Sequence, residues 1–121
     1  MYYAFGVFDG YGNSGKEASN AVSENFHKFF EKYFTKIQKL NNKKEREEFL
    51  MKCYENTESK MKSSGIDYNL SGSCVNFLFI KDNFCTISNL GDSRAVLCRI
   101  GKDINAIELS WDQKPTRKDE K

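Results

Sequence analysis

Hydrophobic and polar residues alternate along this chain with two different periods, and the period changes twice. Residues 2–8 form a short apolar run, Tyr-Tyr-Ala-Phe-Gly-Val-Phe, rich in aromatic side chains and too short for a helix of its own, so a strand is expected. It stops at Asp9-Gly10-Tyr11-Gly12. Ser14-Gly15-Lys16-Glu17 then fits a capping box, in which a serine oxygen takes a free backbone N–H and a glutamate reaches back to the cap. From there apolar residues recur in three- and four-residue steps, through Ala18, Ala21, Val22, Phe26, Phe29, Phe30, Tyr33, Phe34, Ile37 and Leu40, and predict one long amphipathic helix.

Asn42-Lys43-Lys44-Glu45 offers a second cap. Phe49, Leu50, Cys53, Tyr54, Thr57 and Met61 form the next stripe, which ends before Gly65. The short joint between the two stripes predicts antiparallel neighbouring helices. Beyond Gly65 the period becomes strand-like. Residues 73–81 and 84–90 read as a hairpin closed by Asp82-Asn83, residues 94–100 as the third strand of a meander, 101–105 as its turn and 106–110 as a fourth strand. The tail from Lys114 is polar and is expected to fray. The fold class is therefore α+β: antiparallel strands, about five in one sheet or parts of two, with two long antiparallel helices packed on them.

A length of 121 residues sets an upper bound of one domain, and 39% hydrophobic content suffices for a core. Nineteen basic against seventeen acidic residues leave a net charge of +2, too small to argue for nucleic acid or a membrane surface as a partner. Lys43-Lys44 and Arg117-Lys118 read as solvated surface. Cys53, Cys74, Cys85 and Cys98 contain no C-x-x-C pair, and His27 is the single histidine, which disfavours a structural zinc. Cys74, Cys85 and Cys98 fall in strand patterns, where a free cysteine acts as a small hydrophobe. With no signal peptide or long apolar span, the expected location is intracellular, cytoplasmic or nuclear.

Chemistry is concentrated at two strand ends. Asp9-Gly10 closes the first apolar run, and Gly91-Asp92-Ser93-Arg94 closes the run at residues 84–90. A carboxylate beside a core is unfavourable unless donors or a cation satisfy it, and a divalent ion is a compact way to do so. Gly10-Tyr11-Gly12-Asn13-Ser14-Gly15 also spells G-x-G-x-x-G. The dinucleotide fold needs a parallel strand after the following helix, with an acidic residue about 20 positions on, and here a second helix follows instead. As a Walker loop it fails at Glu17, where a hydroxyl should bind magnesium. These glycines are read as a turn and a cap.

Phe5-Gly6-Val7-Phe8-Asp9-Gly10, Gly72-Ser73-Cys74, Asn89-Leu90-Gly91-Asp92-Ser93-Arg94-Ala95-Val96-Leu97 and Leu109-Ser110-Trp111-Asp112-Gln113-Lys114-Pro115 occur in this order. Together they resemble the metal-dependent protein serine/threonine phosphatases of type 2C, the PPM-type family. The resemblance implies a sandwich of two antiparallel sheets flanked by helices, with a binuclear Mn2+ or Mg2+ centre at one end. It implies that Asp9 bridges both metals and is the catalytic centre's carboxylate, that the Gly10 carbonyl is a further metal ligand, and that Asp92 serves a third, weaker metal site. A metal-activated water would then attack the phosphorus of a phosphoserine or phosphothreonine protein substrate, with no covalent intermediate. The local alternative for Asp92 is a turn-forming aspartate at the Gly91 bend.

Two departures qualify that expectation. Tyr11 stands where the family usually has histidine, and a phenol with an ordinary pKa of about 10 is a poor proton donor near neutrality. Asn13 replaces the usual glycine. The family's catalytic domain is also longer, so residues 1–121 are expected to be the amino-terminal half of a phosphatase domain and weak alone. The alternative is a noncatalytic, phosphatase-like binding module. His27 carries no assigned role, Trp111 is expected to pack on the sheet, and the aromatic stripe of the first helix is core by default, or a self-association surface if the domain is incomplete.

Overall fold

The computed structural model describes residues 1–114. Its elements are β1 (Tyr2–Val7), β2 (Gly10–Tyr11), α1 (Gly15–Lys32), α2 (Phe34–Ile37), α3 (Lys43–Lys62), β3 (Gly72–Ser73), β4 (Val75–Lys81), β5 (Phe84–Leu90), β6 (Val96–Ile100) and β7 (Ile104–Glu108). This is the α+β architecture expected, with every sheet antiparallel. Contacts divide it into two units, Phe8–Ser73 and the strand unit made of Met1–Val7 with the chain from Cys74 onward. Pro115 and Arg117-Lys118 lie outside the described residues.

In the helical unit, Ala18, Val22, Phe26 and Phe30 of α1 are buried, and so are Phe49, Leu50, Cys53, Thr57 and Met61 of α3. The aromatic rings interlock: Phe26 meets Tyr54 at 5.2 Å between centroids, and Phe30 meets Phe49 at 5.8 Å. As the number rises along α1 its partner's number falls along α3, so the helices are antiparallel neighbours. Phe26 is 0% exposed, and its removal would cost about 3–5 kcal/mol. Phe26 and Phe30 of the aromatic stripe are therefore core, while Phe29 and Tyr33 are half-buried and Phe34 is exposed.

The helix ends were only partly legible. At α3 the Asn42 Oδ1 accepts from the Glu45 N–H at 2.9 Å, while Glu45 Oε2 accepts from the Asn41 N–H at 3.0 Å, a reciprocal arrangement shifted by one residue from the usual box. Gly65 follows with φ +76°, a left-handed value that suits glycine. At α1 the helix starts after Ser14 as expected, but Ser14 makes no side-chain cap bond. Its backbone at φ −103°, ψ 26° is not the extended conformation that aims a cap oxygen at the helix, and its own N–H donates to Ser71 Oγ at 3.0 Å.

The single long helix is instead two. At Tyr33 the backbone shifts to φ −104°, ψ 17°, its N–H reaches Phe29 O at 3.3 Å, and its carbonyl accepts from the N–H groups of Lys36 and Ile37 at 2.9 and 3.0 Å. Phe30 and the fully buried Ile37 lie seven residues apart, two helical turns, so the break leaves the apolar phase unchanged and the pattern gave no sign of it.

In the strand unit, β1, β4 and β5 form one sheet in that order. Tyr3 is opposite Ile80 and Ile80 opposite Cys85; Phe5 is opposite Leu78 and Leu78 opposite Ile87. Val75, Phe77 and Phe79, alternate residues of β4, are buried. The hairpin turn takes Asp82 to φ 52°, and the Asp82 N–H donates to Met1 O at 2.9 Å.

Four strand expectations need correction. β6 does not continue a meander from β5: it pairs with β7 in a separate two-stranded sheet, because residues 91–95 form a bend held by side chains rather than a tight turn. β7 starts at Ile104, two residues before the expected strand, since only a short turn separates it from Ile100. Trp111 does not pack on the sheet; it is 72% exposed. Cys85 and Cys98 are exposed, the latter on a strand whose residues are all exposed, whereas Cys53 and Cys74 are buried; all four are free thiols. No helix among the described residues is long and apolar enough to cross a membrane.

Candidate functional site

The first motif turns a strand into a helix within seven residues. β1 ends at Val7, and Phe8 sets its ring edge-on to Phe26 at 6.1 Å, which anchors the chain just before Asp9. Asp9 itself is exposed, and among the described residues none donates a hydrogen bond to its carboxylate or pairs with it. Its neighbours are fixed by pairing: Gly10 faces Ser73 and Tyr11 faces Gly72 in the β2–β3 ribbon, which α1 packs against.

Glycine is required in this turn for space. A Cβ on Gly10 would overlap the Gly15 carbonyl oxygen, and one on Gly12, whose φ is +82°, would overlap the Leu70 carbonyl oxygen. Gly15 N–H donates to Gly12 O at 3.1 Å, and Ser14 N–H is taken by Ser71. The glycine loop is thus a packed turn, as the sequence suggested, with a leading helix N–H already committed to a serine.

Tyr11 lies across Gly72. A Cβ at Gly72 would collide with the Tyr11 hydroxyl and stand 2.7 Å from its Cζ, so the ring occupies the space a side chain would fill. An aromatic ring covering a cross-strand glycine stabilises such a short ribbon. This pairing is legible only once the two-residue strands β2 and β3 are known, and segments that short carry no period.

The second acidic strand end is a hydrogen-bonded knot. Gly91 bends at φ +100°, where a Cβ would collide with Cys74 Sγ. The Cys74 thiol donates to Asp92 Oδ1 at 3.3 Å. Asn89 Oδ1 accepts from Asn76 Nδ2 at 2.9 Å, and Asn89 Nδ2 donates to the carbonyls of Gly91 and Trp111 at 3.1 and 3.0 Å. Gly91 N–H donates to Gln113 Oε1, while Gln113 N–H donates to Gly91 O, both at 2.9 Å. Ser110 Oγ accepts from Asn76 Nδ2 at 3.3 Å and from the Ala95 N–H at 2.9 Å.

Arg94 closes this knot on the last motif. Its Nε donates to Asp112 Oδ1 at 2.8 Å and its Nη2 to Asp112 Oδ2 at 3.0 Å, with Lys114 Nζ 3.5 Å from the same carboxylate. The hydrogen bond from Arg94 holds the Asp112 carboxyl below the usual carboxylate range, and Asp112 in turn raises the guanidinium. A cavity of about 260 Å³ beside the knot is lined by Ile87, Asn89, Leu109, Ser110, Trp111 and Gln113. Asn89, Ser110 and Gln113 hydrogen-bond one another's segments around it, so these side chains primarily hold the fold.

Among the described residues no group of three or more His, Cys, Asp or Glu side chains could hold a metal ion. Magnesium and manganese take roughly six oxygen ligands each, so these residues do not complete a binuclear centre. His27 is exposed on α1, 3.6 Å from Glu31, as a surface histidine. The Asn76–Asn89–Ser110 set was not anticipated; buried asparagine inside an apolar strand was the available signal.

The family model for Protein phosphatase 2C matches residues 2–121. A probable protein phosphatase 2C 14 of Arabidopsis thaliana is 38% identical over 117 residues, covering 97% of this chain and 24% of the relative. A probable protein phosphatase 2C 32 of Oryza sativa subsp. japonica is 36% identical over 120 residues, with coverage of 97% and 28%. The human integrin-linked kinase-associated serine/threonine phosphatase 2C is 32% identical over 123 residues, with coverage of 97% and 31%. The chain thus spans about a quarter to a third of the length of these relatives. Its strand-end aspartates, bent glycines and final Ser-Trp-Asp segment fall within the matched span, and the chain belongs to the protein phosphatase 2C family.

Proposed function

We propose that this chain is part of a phosphoprotein phosphatase that hydrolyses phosphoserine and phosphothreonine in proteins with manganese or magnesium as cofactor. The observation that carries the reading is Asp9: an exposed carboxylate, set between a strand end and a packed glycine turn, with no partner among the described residues, inside a family match that covers residues 2–121. A carboxylate oriented by rigid neighbours on both sides is suited to a divalent ion. Gly10, which has no side chain of its own, adds a backbone carbonyl as the second candidate ligand. Asp92 is assigned to a weaker third position, and its bond from Cys74 fits the structural role equally.

The described residues offer fewer oxygen ligands than a two-ion centre needs, so residues 1–121 are treated as one incomplete phosphatase domain. Free cysteines throughout fit a reducing cytoplasm or nucleus. The reading is tested by manganese-dependent phosphate release from a phosphothreonine peptide, measured on the chain alone and with the remainder of a relative's domain supplied in trans. The expected result is little turnover alone, more in trans, and none with Asp9→Asn. Turnover undiminished by Asp9→Asn would overturn it, as would none in either arrangement.

Tyr11 supports a second reading, a noncatalytic phosphatase-like module that binds a partner. Its ring lies over Gly72, in the position where the family usually has histidine. Phosphopeptide binding without any turnover, retained in Asp9→Asn, would select that reading.

A further inference from the structure

We infer that Cys74 is a positioning residue for Asp92: its buried thiol fixes the direction of an exposed carboxylate while leaving that carboxylate its charge for a divalent cation. The inference rests on the reading of Asp92 as a metal position. The Cys74 thiol donates to Asp92 Oδ1 at 3.3 Å, and Cys74 is 8% exposed. Asp92 is exposed, and among the described residues its Oδ2 has no partner. One oxygen is thus tied to the fold and the other is left open. The thiol is itself held, because Cys74 Sγ fills the space that a Cβ on Gly91 would take. The Gly91 bend does not depend on the sulfur alone: Gln113 bonds its N–H and its carbonyl, and Asn89 Nδ2 donates to the same carbonyl.

Asp112 shows how differently a carboxylate is treated when its task in this knot is structural. Arg94 takes both of its oxygens, and Lys114 Nζ stands 3.5 Å away. Two cations satisfy that group and leave it no charge to offer an ion. Among the described residues no lysine or arginine pairs with Asp92. Its single donor is a neutral thiol, a weak one. An ionised donor in that place would bind more strongly and would also offset the charge that attracts a cation. The thiol therefore orients without neutralising. A ligand already held in one direction loses less side-chain freedom when an ion arrives, which is what an orienting partner outside the metal's own ligand set contributes.

The test is NMR of the 121-residue chain with two readouts. Three-bond couplings report the Asp92 χ1 rotamer, and titrated Mn2+ reports cation affinity through broadening of the residue 92 amide. Asp103, an exposed carboxylate in the same unit, is the internal reference. In the parent we expect one Asp92 rotamer and Mn2+ held about tenfold more tightly at residue 92 than at residue 103, the lower end of what an orienting partner supplies. Cys74→Ala should average the rotamer and remove that preference. Cys74→Ser, which loses the same sulfur but keeps a donor, should restore most of both; a role in packing alone would leave the two variants alike. Asp92→Asn leaves Cys74 in place and should abolish the broadening, which assigns it to this carboxylate. An averaged Asp92 rotamer in the parent overturns the inference without need of any variant. So does a rotamer unchanged in Cys74→Ala, or equal behaviour of the Ala and Ser variants. A rotamer that follows the thiol, with no manganese preference at residue 92, upholds the positioning and overturns the reading of Asp92 as a metal position.

Discussion

Arg94 grips Asp112 with both arms of its guanidinium, at 2.8 and 3.0 Å, and so joins the bend after β5 to the segment that follows β7. Two parallel N–H donors match two carboxylate oxygens, a geometry lysine cannot reproduce. Because the pair holds the Asp112 carboxyl below its ordinary value of 3.8, the stabilisation is complete above that value and is lost as pH falls through the lower, folded one. Arg94→Lys and Arg94→Ala are both expected to lower the melting temperature at pH 7, by a few degrees at most since Arg94 is solvent-facing. The gap from the parent should stay constant between pH 5 and 7 and close below pH 3.8. Thermal melts across that range check it; a gap that widens in acid would reject the assignment.

Asn89 supplies more of the knot than any charged residue does. One side chain accepts from Asn76 and donates to two carbonyls, those of Gly91 and Trp111. Asn89→Ala is expected to destabilise the chain by about 1–3 kcal/mol, the cost of leaving partly buried polar groups unsatisfied. Asn89→Asp should be worse at neutral pH, because a carboxylate cannot donate to either carbonyl and faces both as repulsive oxygens. Urea denaturation monitored by Trp111 fluorescence would register the order Asn89→Asp, Asn89→Ala, parent.

What the sequence disclosed follows from how far each feature extends along the chain. The core of α1 and α3 was readable because Phe26, Phe30, Phe49 and Cys53 repeat with the helical period over several turns. The β4–β5 hairpin was readable because seven-residue strands flank a two-residue turn. The β2–β3 ribbon was not, since two residues per strand have no period, and the departure of β6 from the main sheet depends on long-range bonds such as Ala95 to Ser110. Trp111 was misplaced for a related reason: its side chain is exposed while its carbonyl, which composition cannot reveal, is the group that binds Asn89. At the candidate site, Asp9 and Gly10 were legible as residue types at a strand end, but the space requirement at Gly10 comes from Gly15, across the turn.

The four thiols should separate into two classes. Burial pushes the Cys53 thiol up to about 12, so almost no thiolate exists there at neutral pH. Cys74 is buried beneath the Gly91 bend. Cys85 and Cys98 are exposed, although partial desolvation raises the Cys85 thiol as well. Iodoacetamide at pH 8 is expected to alkylate Cys98 and, more slowly than an unhindered thiol, Cys85, while Cys53 and Cys74 react only after urea unfolds the chain. Peptide mass spectrometry over time reads this directly. Labelling of Cys53 at the rate of Cys98 in the native chain would contradict the packing of α1 on α3.

Tyr11 and Gly72 make a coupled pair whose disruption moves a ring more than it moves a stability. A Cβ at Gly72 meets the far end of Tyr11, an exposed side chain that can swing aside, so Gly72→Ala should change stability by only about 0.5 kcal/mol or less. The ring itself must leave the strand surface, and NMR contacts between the Tyr11 ring protons and the residue 72 α-proton should vanish. Tyr11→His is the complementary change, because imidazole titrates near neutrality where phenol does not. In the trans-assembled phosphatase it is expected to raise turnover by about two orders of magnitude, the lower end of what a well-placed general acid contributes. An increase confined to Tyr11→His and absent from Tyr11→Phe would assign the gain to proton donation; equal effects in both would assign it to removal of the phenol from the path of the substrate.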